Sequence, residues 1–242
     1  QCQSLTVNGT SENWAVLNGS ASLTVNNSFD AQYASFQTGS TLAVAAAGAS
    51  DSIRIDHCVF DGTDTITLGT AATPLNVAII IEHSDFRNAL STVLLDIRGV
   101  SGTVTADMYI DACTFCFDGL RAVRLRRDGM TVRNSVLYNT AFGSDTALPS
   151  SGGHTYENNF ISADLSTSHT LLWNRWDEPG SSFDNNYCYF SFPNPHPFLS
   201  TGFDDHGSTD YYRNNVFEVI FNSDGANIIM AIDHVEQVVT GN

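Results

Sequence analysis

Eleven residues between positions 96 and 206 carry side chains suited to gripping a carboxylated sugar chain: Asp96, Arg98, Arg124, Arg126, Trp173, Arg175, Asp177, Glu178, Asp204, Asp205 and His206. A guanidinium clamps a carboxylate through paired, planar donors, and an indole face packs on a sugar ring. Arg124, Trp173, Arg175, Asp204 and His206 are the candidate ligand-binding residues of this set. A second constellation is Asp56, Glu82 and Asp111, followed in two cases by a histidine, His57 and His83. Carboxylates stacked about 5 Å apart repel. Ca2+ is the candidate cation to bridge them through oxygen ligands, with neutralisation by Arg54 and Arg133 as the other solution. No further cofactor is expected. Two imidazoles without a third ligand are a weak metal signal, so His57 and His83 read as turn residues.

These groups meet only if something stacks them, and the sequence contains a repeat able to do so. Ile53–Phe60 (IRIDHCVF) recurs as Ile79–Phe86 (IIIEHSDF), Met108–Phe115 (MYIDACTF) and Met130–Leu137 (MTVRNSVL). Weaker copies end at Phe160, Tyr187 and Phe217. Alternation at period two argues for strands with one buried face. A small polar position follows, occupied by Cys58, Ser84, Cys113, Ser135, Asn158, Asn185 and Asn215, at spacings of 26, 29, 22, 23, 27 and 30 residues. Asn there suits a tight left-handed bend. Such a period fits a unit of three short strands and three turns, whereas helical repeats would need apolar residues at three- and four-residue steps.

A second set of strands is expected between the copies: Leu42–Val44, Thr65–Leu68, Leu94–Arg98, Val123–Arg126, Leu171–Trp176 and Leu199–Asp205. Stacking these would bring the arginines, tryptophan and acids to one side, with turns at Gly99, Gly129, Gly180 and Gly207. An earlier copy at Leu23–Phe29 is one residue out of register, and residues 141–153 read as a loose connection. Residues 1–21 are expected to form a partial first coil or cap, and residues 22–242 a single domain. The end at Asn242 shows no cap, which implies a truncated solenoid or burial in an assembly.

The unit x-I-x-I-D-H-C-x-F-D-G around Ile53–Gly62 resembles the right-handed parallel β-helix of the pectin-lyase-like superfamily. The resemblance extends over roughly Ser22 to Val238 and implies an all-β solenoid of about seven to eight coils. It says little about activity, since one fold hosts many functions. Arg124-Leu125-Arg126-Arg127-Asp128-Gly129 is similar to the L-x-L-R-x-G strand of the alginate lyase and chondroitinase B family. That similarity implies a part in β-elimination for Arg126. The family places a catalytic lysine one coil earlier; here Asp96-Ile97-Arg98-Gly99 stands there, leaving Arg98 as the candidate. An arginine base would have to shed a proton whose pKa is roughly 12 or above. Asp204-Asp205-His206-Gly207 is similar to elements of the polygalacturonase family, which makes glycoside hydrolysis by paired carboxylates the lesser alternative.

Composition narrows the classes. The net charge is −16 and every one of the ten basic residues is Arg. Such a field disfavours nucleic acid, and an excess of carboxylates is a lever that halophilic proteins use. No apolar run reaches the length of a membrane span, so no insertion is expected. Cys58 and Cys113 fall two coils apart, about 9–10 Å by strand spacing, too far for a disulfide. The two are expected to be thiols buried in the stack, the pairing of Cys2, Cys116 and Cys188 stays open, and Cys113-Thr-Phe-Cys116 lacks the second ligand pair of a zinc site. The sequons at Asn8, Asn18 and Asn26 would matter only in a secretory compartment. The expectation is therefore an extracellular protein, secreted, surface-bound or on a virion, that meets an acidic polysaccharide or cell-surface glycan. The competing expectation is a non-catalytic tailspike, surface-repeat or filament module that associates with copies of itself or within a larger assembly.

Overall fold

The computed structural model describes residues 2–18, 22–45, 50–63, 66–69, 77–88, 93–98, 106–116, 121–126, 129–138, 142–144, 153–164, 169–176, 182–192, 198–205, 209–221, 227–229, 232–233 and 236–240. Within them the chain is all-β, with no helix. The strands form three long sheets of ten, nine and ten strands. Strands three apart in chain order pair in parallel: Ser52–Asp56 lies between Phe29–Gln32 and Ala78–Glu82. Each repeat thus gives one strand to each sheet, a β-helix-like arrangement in which equivalent positions form columns.

The period-two pattern is realised as read. Along Ser52–Asp56, Ile53 and Ile55 are fully buried while Ser52 and Arg54 are exposed. In the second sheet the inward column is Phe36, Phe60, Phe86 and Phe115, whose rings stack at 4.5, 4.9 and 4.9 Å within 8° of parallel. That spacing is the strand separation itself. Leu137, Ile161 and Cys188 continue the column, all fully buried, and Phe217 follows in register.

Between the first and second sheets the chain turns through one left-handed residue per repeat. These are Tyr33, His57, His83, Ala112, Asn134, Asn158, Asn185 and Asn214, with φ between 47° and 57°. The following residue points inward, and here the reading shifts by one. The column of Cys58, Ser84, Cys113 and Ser135 continues as Asn159, Asn186 and Asn215, at steps of 24, 27 and 29 residues. Asn158 and Asn185 occupy the left-handed position instead. For the same reason Phe160 and Tyr187 are not the inward ends of their repeats; Ile161 and Cys188 are. Matching on aromatic type misplaced them by one residue. The early copy is likewise Phe29–Phe36, while Ser22–Val25 is an edge strand of the third sheet.

The inward column is a hydrogen-bonded ladder. Backbone N–H groups of Ser135, Asn159 and Asn186 donate to the Oδ1 of the next Asn at 3.0, 2.9 and 2.9 Å. The Nδ2 groups of Asn159, Asn186 and Asn215 donate to the carbonyls of Val132, Tyr156 and Phe183. Buried backbone groups at a turn require such partners. All five cysteines are free, Cys58 and Cys113 as expected; burial pushes the thiols of Cys58 up to about 11 and of Cys113 and Cys188 up to about 12.

The expected second set of strands forms the third sheet, in the order Thr41–Val44, Ile66–Leu68, Val93–Arg98, Arg121–Arg126, Phe142–Ser144, His169–Trp176 and Phe198–Asp205. Phe142–Ser144, taken from sequence as part of a loose connection, is a strand of it. Leu5–Asn8 and Ala15–Leu17 are edge strands of the first and second sheets.

Candidate functional site

Pairing in the third sheet places the chemically rich residues. Asp96 pairs with Arg124, and Arg98 with Arg126. Arg124 pairs with Gly143, and Gly143 with Trp173. Arg175, two positions beyond Trp173, pairs with Asp204, which pairs with Asp233. Arg98 and Arg126 therefore occupy neighbouring backbone positions across two repeats. Trp173 and Arg175 keep the same two-residue offset two repeats later. The side chains of Arg124, Arg126, Trp173, Arg175 and Asp204 lie outside the described residues, as do Asp177, Glu178 and His206 and the turn glycines 99, 180 and 207. Gly129 is described and has φ 71°, as a tight turn requires.

Asp96 and Arg98 are visible in full. Leu95 and Ile97 are fully buried, so Asp96 and Arg98 alternate to the other face. Even so, only 2% of Asp96 is exposed. Its Oδ2 accepts from Nε and Nη2 of Arg98 at 2.8 and 2.7 Å. A carboxylate removed from water is tolerated only when paired and hydrogen-bonded. Arg98 is the partner, and its own side chain keeps 41% of its surface. The pair fixes the guanidinium in place and leaves part of it facing solvent. Such a group is a preorganised anion donor. It is a poor general base, as any guanidinium is.

The first sheet carries the acidic column. Gln32, Asp56, Glu82, Asp111, Arg133, Glu157, Asp184 and Arg213 occupy one register position across eight repeats. The three carboxylates considered for Ca2+ are thus neighbours, as stacking requires. Each also has protein donors. Asp111 accepts from Nε of Arg133 at 2.9 Å and Nδ2 of Asn134 at 2.8 Å. Burial alone would raise its pKa, but these hydrogen bonds and the Arg133 charge together hold it below the ordinary carboxylate range. Glu82 accepts from the Tyr109 hydroxyl at 3.0 Å. Asp56 pairs with Arg54 through Oδ2 at 3.3 Å, and its Oδ1 lies 2.7 Å from Nδ1 of His57 and 3.3 Å from Nδ1 of His83. Asp56 and Asp111 thus each pair with an arginine, Arg54 and Arg133, while Glu82 is met by a phenol hydroxyl.

Sequence reasoning missed the convergence of His57 and His83 on Asp56 and the complete burial of His154. The first had a signal: His occupies the left-handed position in two successive repeats where later ones have Asn. His154 precedes Thr155 as Met130 precedes its partner Thr131, so a histidine replaces an apolar residue at an interior position. No family model, curated protein or solved structure matches the chain.

Proposed function

We propose that the three parallel sheets are the walls of a right-handed parallel β-helix of the pectin-lyase-like type, and that the outer face of the third sheet binds an anionic polysaccharide outside the cell. One observation carries this reading: Arg98 stands beside Arg126 in register and is held in place, half-exposed, by a buried Asp96. On a chain of net charge −16, a fixed row of guanidinium positions is where a polymeric carboxylate has a reason to sit. Arg124, Trp173, Arg175, Asp204 and His206 extend the proposed surface. β-Elimination would need Arg126 or Arg98 to accept a proton, for which a guanidinium is ill suited; recognition is therefore proposed ahead of cleavage. The test is a panel of alginate, pectate and glycosaminoglycans, assayed for retention on affinity gels and for the ultraviolet absorbance of an unsaturated product. Arg126→Ala should abolish retention of whichever polymer the intact protein holds. Unchanged retention would remove the reading, and product formation would extend it to a lyase.

One observation favours the structural alternative, a self-associating module. Val136, Phe160 and Val216 are exposed at one register position of the second sheet, beside exposed Tyr138. Apolar stripes of this kind mark association surfaces. A monomeric protein in light scattering, at all concentrations, would dismiss it.

A further inference from the structure

We propose that Asp56, His57 and His83 form a binding site for a borderline divalent metal ion of the Zn2+ class. The two imidazoles belong to successive repeats, stacked with centroids 4.7 Å apart and 25° between planes. Both present Nδ1 to the same oxygen, Oδ1 of Asp56, at 2.7 and 3.3 Å, and the three donor atoms lie within 4.8 Å of one another. Tetrahedral ligands about 2.0–2.2 Å from one metal stand roughly 3.3–3.6 Å from each other, which the 3.3 Å from His83 Nδ1 to Oδ1 already matches. The convergence of both ring nitrogens on one point is thus already made by the backbone.

Three further features support a metal. Arg54 holds the other carboxylate oxygen, Oδ2, and so orients Oδ1 towards the rings. The Tyr33 ring stacks on His57 at 4.8 Å and restricts its rotation. Outer partners of this kind fix the orientation of metal ligands. The third feature is the departure from the chain's own repeat. His57 and His83 sit at φ 50° and 47°, in a position filled by Tyr33 and Ala112 in the flanking repeats and by Asn134, Asn158, Asn185 and Asn214 in the later ones. Left-handed backbone admits His as well as Asn, and it is the succession of two histidines in adjacent repeats that brings two imidazoles onto one carboxylate. Both keep substantial exposure, 40% and 53% of their side chains, which leaves the ion an entry path and room for water ligands. Two imidazoles and one carboxylate are a donor set for Zn2+ and its neighbours rather than for Ca2+, which takes oxygen ligands. The site is therefore distinct in chemistry from a Ca2+ bridge along the acidic column, and it stands whether or not the third sheet binds a polymer.

The experiment is isothermal titration of the intact chain with ZnCl2, alone and in excess CaCl2, compared with His57→Asn and His83→Asn. Asn is the residue the same turn uses elsewhere, and circular dichroism checks that both variants keep the fold. The expected result is one saturable site per chain, insensitive to Ca2+, with affinity falling about tenfold or more in each variant. Absence of saturable uptake, wild-type affinity in both variants, or equal displacement by Ca2+ would each overturn the proposal.

Discussion

The repeats before residue 138 and those after residue 153 fill the same interior slots with different chemistry. Behind the turn, the earlier repeats place Cys58, Ser84, Cys113 and Ser135, and the later ones Asn159, Asn186 and Asn215. A Ser hydroxyl does two jobs there: Ser84 Oγ accepts from the Cys58 N–H at 3.0 Å and donates to the Glu82 carbonyl at 2.7 Å. An Asn amide does more, since Asn186 accepts from both the N–H and the Nδ2 of Asn159 and donates to Tyr156 O and Asn215 Oδ1. The second interior slot reverses the balance. Earlier repeats stack four Phe rings; later ones have Ile161, Cys188 and Phe217. The same architecture is thus held mainly by aromatic packing at one end and by an amide ladder at the other.

The largest expected effect comes from removing a ring in the middle of the stack. Phe86→Ala should lower unfolding free energy by about 3–5 kcal/mol, read from denaturant titration, because Phe60 and Phe115 each lose a face-on neighbour. A cost under about 1 kcal/mol would show that the stack is incidental. Next is the ladder. Asn186→Ala should cost about 3 kcal/mol, since buried donors and acceptors on both sides lose partners. Hydrogen exchange should localise that loss to the repeats around Asn159 and Asn215, and the Phe86 loss to those around Phe60 and Phe115. Uniform loosening in both variants would erase the distinction between the two ends.

A pH effect of up to about 3 kcal/mol follows from His154. Complete burial lowers its pKa from 6.5 to about 4. The folded ring stays neutral while the unfolded chain takes up a proton below about 6.5, so this contribution is whole above that pH. It declines as pH falls towards about 4 and then levels off. His154→Met, which copies Met130 of the preceding repeat, should flatten that part of the stability–pH curve. An unchanged slope would place the acid sensitivity elsewhere. The smallest expected effect is Ser84→Ala, about 1–2 kcal/mol for the buried Cys58 N–H left without its acceptor. A cost equal to that of Asn186→Ala would mean that hydroxyl and amide rungs are equivalent.

Much of this arrangement was legible in the residues themselves. Ile53 and Ile55, Ile79 and Ile81, and their later counterparts announce strands by alternation, and the recurrence of the whole unit announces stacking. From these alone follow the parallel columns, the neighbouring positions of Arg98 and Arg126, and the separation of Cys58 from Cys113. Alternation is a local property, so a single chain segment suffices to display it. Register across repeats is not local, because it depends on how connections of unequal length bring each strand beside the last. The one-residue placement of Asn159 and Asn186, the strand at Phe142–Ser144, the sinking of Asp96 beneath Arg98, and the meeting of His57 and His83 at Asp56 were therefore decided only in three dimensions. Each involves groups 19 or more residues apart, or burial supplied by neighbours, and no spacing along the chain encodes either.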